Sequence, residues 1–428
     1  MLATTLLLLI VLLALSVPVA AVMGVLGLAL NQLYASMPLH LAMGEVLWNS
    51  SSEYILIAIP LFVMLGEILL RSGIAARVYA GIAQWLSWLP GGLMHANIGA
   101  CAMFAATSGS SVATAATIGT VAIPEIKKYG YNEPLFLGTI AAGGTLGILI
   151  PPSINFILYG LLTNTSVPRL YLAGFVPGAL LAGLFMLMVL VFCMFDRSKG
   201  GAPIETSWAK RMAMLPALVP PLLIFLVVVG SIYAGVATPT EAASLGVIAA
   251  LALAAWERRI SLSMLRAVAE GTMRTTAMIM LIIMAAQFLN FVLAAIGITE
   301  GLGKAMEALG LGKYGTMILI VVFYLVLGCF METISMMILT TPFIAPIVFG
   351  MGWDPIWWGI VLTILIEAAL ITPPVGLNLY VVQGMRGRGS INEVIRGSLP
   401  FVLAMVVLIG LLMALPDIAL WLPRFIMG

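Results

Sequence analysis

The sequence predicts an all-α polytopic membrane protein. It is built as an inverted-topology repeat with two re-entrant helical hairpins and two broken crossing helices. Three observations carry that prediction. Only 8% of the 428 residues are charged (19 Lys+Arg, 17 Asp+Glu) and 62% are hydrophobic, against about 25% charged in an ordinary soluble domain. Uninterrupted apolar segments alternate with two long apolar regions broken by Gly, Ser, Thr and Pro. Those two regions match each other at a constant separation of 222 positions.

Segments long enough to cross a bilayer fall at 5–30, 53–70, 170–194, 214–234, 241–256, 275–296 and 398–422. No Lys or Arg precedes the first run, and the run is too long for a secretory h-region. It reads as a membrane helix interrupted at Pro18. The interrupted regions are 93–162 and 315–384. In the first, residues 93–106 lead to Thr107-Ser108-Gly109-Ser110-Ser111, and a second apolar arm stops at Pro124. At ~1.5 Å per residue each arm is short for a crossing. A re-entrant hairpin over about 93–124 with a polar tip fits better. Residues 134–162 then predict a crossing broken at Gly143-Gly144-Thr145-Leu146-Gly147 and at Pro151-Pro152-Ser153. The second region copies this plan. A hairpin spans about 315–349 with Glu332-Thr333-Ile334-Ser335 near its tip, and a crossing over 356–384 breaks at Thr372-Pro373-Pro374-Val375-Gly376. The less apolar stretches 74–90 and 298–314 suit helices at the membrane interface; the latter carries Lys304, Glu307 and Lys313.

Pro124 and Pro346, Gly130 and Gly352, Tyr131 and Trp353, and Asn132 and Asp354 each stand 222 positions apart. So do Pro151-Pro152 and Pro373-Pro374, and so do Glu53 and Thr275, which open helices. The implied division is a first repeat over 1–195, a loop and linking helix over 196–240, and a second repeat over 241–428. Basic residues set the orientation. Arg71 and Arg77, Lys127 and Lys128, the group Arg197, Lys199, Lys210 and Arg211, the group Arg258, Arg259, Arg266 and Arg274, and the group Arg386, Arg388 and Arg396 mark cytoplasmic loops. Residues 31–52 and 350–355 carry no Lys or Arg and face outward; Lys304 and Lys313 are exceptions. The turn at Lys127-Lys128 is therefore inside and its counterpart at 350–355 outside, which inverts one half relative to the other. The helix at 214–234 supplies the odd crossing, and the N-terminus is assigned to the inside.

Several function classes drop out. No G-x-x-x-x-G-K-[ST] phosphate loop is present. A net charge of +2 without a basic block leaves nucleic acid no electrostatic footprint. Cys101, Cys193 and Cys329 stand at unrelated spacings, and His40 and His95 are too few for a His-based metal cluster. An intramembrane enzyme would need a nucleophile with its base or a metal cluster, and there is no Ser–His pairing at a plausible helical spacing and no carboxylate pair in one crossing.

What remains is binding at the breaks. Unwound backbone in hydrocarbon costs several kcal/mol per unpaired group, so it survives only where protein or a polar ligand satisfies it. Freed carbonyls and hydroxyls suit a small hard cation, and helix N-termini suit an anion. Two tips and two breaks point to cation sites flanking one substrate site. Small residues also permit close helix packing, so the paired constellation carries this reading rather than any one glycine. Among the acids, Glu332 lies at a tip and Glu367 lies inside an apolar crossing, either charged in a cavity or protonated and packed. Glu67 and Arg71 have the spacing of a helical ion pair, and Thr238-Pro239-Thr240-Glu241 has that of a capping box. Asn155 and Asn378 follow the two Pro-Pro pairs, where each can offer an amide to substrate or secure its own broken helix.

Ser108-Gly-Ser-Ser111, Gly147-Ile-Leu-Ile-Pro-Pro-Ser153, Ala237-Thr-Pro-Thr-Glu-Ala242 and Thr372-Pro-Pro-Val-Gly-Leu-Asn378 together resemble the large permease subunit of TRAP (tripartite ATP-independent periplasmic) transporters. The resemblance covers nearly the whole chain. It implies an elevator-type secondary transporter that uses Na+ to import an organic anion such as a C4-dicarboxylate or sugar acid across the bacterial inner membrane. It also implies two partners, a small four-helix membrane subunit and a periplasmic substrate-binding protein, and no organic cofactor. Carried onto this sequence, one sodium site involves Ser108, Ser110 and Ser111 with Gly144, Gly147 and Pro151. The other involves Glu332 and Thr333 with Thr372, Val375 and Gly376. The anion is expected near Ser153, Asn155 and Asn378. A related anion transporter or antiporter that works without a binding protein is the alternative.

Overall fold

Proline and glycine cut this apolar chain into helices, and no strand occurs among the described residues of the computed structural model. The structure describes residues 1–15, 17–298, 300–303 and 310–428, with the side chains of all of these except residues 2, 3, 6, 14, 107 and 108. Lys304 and Glu307 of the expected interface helix lie outside the described residues.

The first apolar run forms two helices, α1 (Leu2–Ala14) and α2 (Val19–Tyr34), with Pro18 at the N-cap of the second. Next come α3 (Met43–Ser51), α4 (Ala58–Arg71) and α5 (Ile74–Leu86). The first hairpin is α6 (Leu93–Ser108) and α7 (Ser111–Tyr129), turned at Gly109 with φ +59°. The first broken crossing is α8 (Glu133–Leu149) and α9 (Ile154–Thr163), bent by 45°. A long α10 (Val167–Phe195) ends this half. The connecting region holds α11 (Trp208–Met214) and α12 (Val219–Tyr233), again with a 45° bend before α12. The second half runs α13 (Pro239–Trp256), α14 (Leu262–Ala295), a hairpin of α15 (Gly312–Leu327) and α16 (Thr333–Gly350), a broken crossing of α17 (Pro355–Ala369) and α18 (Leu377–Arg386), then α19 (Ile391–Ala414) and α20 (Asp417–Met427).

The helix bounds carry the 222-residue offset further than the identities do. Adding 222 to Ser111, the first residue of α7, gives Thr333, the first of α16. The same shift brings α2 onto α13 and α9 onto α18. Cap chemistry repeats as well. Asn132 accepts from Leu135 N at 3.1 Å to start α8, and Asp354 accepts from Ile356 N at 2.7 Å to start α17.

Four expectations are corrected. Pro124 does not stop the first hairpin, because α7 continues through it to Tyr129. Proline removes one donor, and a packed membrane helix can re-satisfy the freed carbonyl locally. The glycine run 143–147 is helical; only 150–153 is broken. Its glycines serve close packing instead, as a Cβ on Gly143 would stand 3.0 Å from Cys101 Sγ. The span expected at 275–296 belongs to a 34-residue helix that starts at Leu262, where the Ser261 side chain caps it and Arg266 pairs with Glu270. Finally, the segment expected at 398–422 is two helices separated at Leu415 and Pro416.

Two groups of helices pack around this frame. α2, α3 and α4 pack on α14, and α13 packs on α4 and α12. The second group centres on the crossings. α6, α7 and α19 pack on α8, and both arms of the second hairpin pack on α17. Gly138 and Gly397 bring α8 and α19 together through their backbones: a Cβ on Gly397 would stand 1.8 Å from Pro134 O. α5 is more than an interface helix. Ile74, Val78, Tyr79 and Ile82 are buried against the first hairpin, and Tyr79 donates to Asn97 Oδ1 at 2.9 Å. The expected Glu67–Arg71 pair forms at 2.9 Å, and Thr238 and Glu241 form the capping box.

Candidate substrate and cation site

Each hairpin reaches across to the other half. The returning arm α7 packs on α18, and the returning arm α16 packs on α9. Tips and breaks of different repeats therefore share one region.

The first tip is set by its caps and by two glycines. Ser110 is the N-cap of α7; its carbonyl accepts from Thr114 N at 3.0 Å and from Thr114 Oγ1 at 2.7 Å. Gly147 faces this turn so closely that a Cβ would stand 2.7 Å from Ser110 O. A Cβ on Gly144 would stand 2.7 Å from Ala115 Cβ, 3.0 Å from Asn378 Nδ2 and 3.1 Å from Ser111 O. Gly109 sits over Pro152 O of the first break. Ser110, Ser111, Gly144, Gly147 and Asn378 are thus brought together, although Asn378 belongs to the other repeat. The Ser108 side chain lies outside the described residues.

The second tip is held differently. Glu332 is the N-cap of α16, accepting from Ser335 N at 2.6 Å and Ile334 N at 3.2 Å, and its carboxylate also takes the Ser335 hydroxyl. Its oxygens are engaged in a local cap, next to a buried Thr333. Gly328, before the tip, is pressed on Ala369 at the edge of the second break. Thr372 donates its hydroxyl to Ala368 O at 2.7 Å, which leaves its lone pairs free. Gly376 adopts φ +40°, a left-handed conformation that lets α18 begin there.

Both breaks contain a cis Pro-Pro bond, at 151–152 and 373–374. Among the described residues no donor reaches the carbonyls of Gly147, Pro151, Thr372 or Val375. Ser153 Oγ, Asn155 Nδ2 and Asn378 Oδ1 are buried without a hydrogen-bond partner among the described residues. Asn378 Nδ2 donates to Ala141 O at 3.1 Å. Hard cations take carbonyl and hydroxyl oxygens, the kind of group that the two breaks supply, while Gly144 and Gly147 let the first tip pack directly on α8 and leave no room for a Cβ. Ser153 and Asn155 lie at the start of α9, close to a helix N-terminus suited to an anion.

One contact was not legible beforehand. Ser111 Oγ lies 2.9 and 2.8 Å from the two carboxylate oxygens of Glu367, and both residues are buried. The residues stand 256 positions apart, in different repeats. Only the isolated acid in an apolar run signalled it.

A helical membrane protein in which two hairpin tips meet two interrupted crossings has the architecture of a secondary transporter. The family model for the tripartite ATP-independent periplasmic transporter, DctM component, matches residues 6–418, and the chain belongs to that family. The C4-dicarboxylate TRAP transporter large permease protein DctM of Vibrio cholerae is 33% identical over 96% of this chain and 95% of its own. The ectoine TRAP transporter large permease protein TeaC of Halomonas elongata is 30% identical over 86% of each chain. The isethionate TRAP transporter permease protein DctMQ of Oleidesulfovibrio alaskensis is 30% identical over 97% of this chain and 65% of its own. Among solved structures, the YdaH transporter of Alcanivorax borkumensis shares the fold, with a TM-score of 0.63 and 15% identity over 98% of both chains. The protein is a multi-pass permease of the bacterial inner membrane and one component of a three-part transporter, not an enzyme.

Proposed function

We propose that this chain is the large membrane subunit of a sodium-coupled importer of an organic anion, working with a small four-helix membrane subunit and a periplasmic substrate-binding protein. The observation that carries the reading is the set of buried polar atoms at the two breaks that have no partner among the described residues: Ser153 Oγ, Asn155 Nδ2 and Asn378 Oδ1. Most buried polar groups of native proteins are satisfied, by protein, by ordered water or by what the protein binds. Hydroxyls and amides recognise carboxylate oxygens, and no Lys or Arg stands in either tip or break. Bound sodium and helix N-termini then supply the positive charge. Relatives named for C4-dicarboxylates support a carboxylate substrate. In the same reading, the two hairpins and the two broken crossings move as one body against α2, α4, α13 and α14, in an elevator step.

The test is reconstitution of both membrane subunits in liposomes, with the binding protein and a labelled C4-dicarboxylate outside. Uptake is expected only with an inward sodium gradient, and uptake indifferent to sodium overturns the coupling. Ser110→Ala and Thr372→Ala should each raise the sodium requirement more than they lower protein abundance. Transport without any binding protein would favour a binding-protein-independent anion transporter instead.

A further inference from the structure

Glu367 is fully buried in α17, five residues before Thr372. Among the described residues its side chain touches no Lys, Arg or His, and its hydrogen-bond partner is the Ser111 hydroxyl. An ionised carboxylate away from water requires an opposite charge nearby. One hydroxyl does not provide it. The N-terminus of α7, where Ser111 is the first residue, offers only about half a charge. The same Ser111 packs against Gly144 and Gly147, beside the Asn378 amide, whose Oδ1 is buried without a partner among the described residues.

We propose that Glu367 supplies the negative charge for the cation held at the first hairpin tip, acting through Ser111. This rests on the sodium-coupled reading and extends it. The first cation site then combines neutral oxygens of the first tip with a counter-charge from the other repeat. Cation binding there draws the two repeats together at their least regular points. Glu367 is a positioning residue, since Ser111 stands between it and the proposed cation.

The experiment uses the purified complex of both membrane subunits in detergent. Thermal unfolding is followed during sodium titration, with choline holding the ionic strength constant. For Glu367→Gln the sodium concentration giving half the stabilisation should rise about tenfold or more, as expected for losing a nearby charge in a poorly solvated site. Glu367→Asp should raise it less. A purely structural role predicts a different outcome: a lower unfolding temperature without sodium and an unmoved sodium midpoint. That result overturns the proposal and leaves sodium coupling standing. If the wild-type complex shows no stabilisation specific to sodium, both fall. If the Gln variant does not fold, the Asp variant decides, and an unchanged midpoint there overturns the proposal.

Discussion

Asn378, at the start of the far half of the second broken crossing, donates its side-chain amide to the carbonyl of Ala141 in the first crossing at 3.1 Å. The two broken helices are thereby tied beside the first tip, while Asn378 Oδ1 has no partner among the described residues. Asn378→Asp removes the amide donor and adds a negative charge where an anion is proposed to bind. Anion uptake in liposomes should fall by at least tenfold, since an unsatisfied buried group costs about 1–3 kcal/mol. Asn378→Ala should lose less. Equal uptake by the two variants and the wild type would remove Asn378 from the substrate path.

Gly147→Ala places a methyl group 2.7 Å from Ser110 O. The neighbour is backbone, so the tip itself must shift, at about 1–3 kcal/mol. Sodium-dependent uptake should be lost while the protein still reaches the membrane. Gly183→Ala in α10 is the control, because nothing stands within 4 Å of the new methyl. It should be neutral or stabilise the helix by about 1 kcal/mol. Thermal unfolding and uptake, measured on both variants, separate the two cases.

Arg386 is nearly buried and bridges Glu133 at 2.8 Å and Glu393, while Arg388 adds a second contact to Glu133 at 2.9 Å. These pairs join the beginnings of α8 and α19 to the end of α18. Arg386→Lys keeps the charge but loses the planar fork. We expect a destabilisation of about 1–3 kcal/mol, below the 3–5 kcal/mol of a fully buried pair because the carboxylates are partly exposed. A matching fall in unfolding temperature of the detergent-purified complex would bear this out; no change would mark the network as dispensable.

Thr238→Ala removes the side chain that caps Glu241 N and pairs with its carboxylate. Loss of the cap should cost about 0.5–2 kcal/mol. Uptake per correctly folded molecule should be unchanged, as α13 packs with α4 and α12 away from the breaks. Reduced transport at equal abundance would contradict that separation.

Hairpins, breaks and the repeat were legible because they follow from local chemistry. A tip needs polar residues between two short apolar arms, and Ser110 and Glu332 cap the returning arms 222 positions apart. The capping box at Thr238 is likewise a four-residue pattern. Boundaries were less legible. Pro124 reads as a stop in isolation, yet the helix continues because its neighbours are packed. The glycines at 143–147 read as a break, although they are space for Cys101, Ala115 and Ser110. That distinction depends on what lies across the interface. The Ser111–Glu367 contact was illegible for the same reason: no periodicity links residues 256 positions apart, and only the fold brings the first tip against the second crossing.

The backbone contact between Gly138 and Gly397 leaves no room for a side chain between α8 and α19. Mechanically the pair is a single rod. Any displacement of the first crossing takes α19 with it, together with the exposed row Leu399, Leu403, Val407 and Leu411 on its outer face. In the proposed elevator step that row slides against whatever surrounds the protein, so the resistance the core meets there is set by the fluidity and thickness of the surrounding lipid.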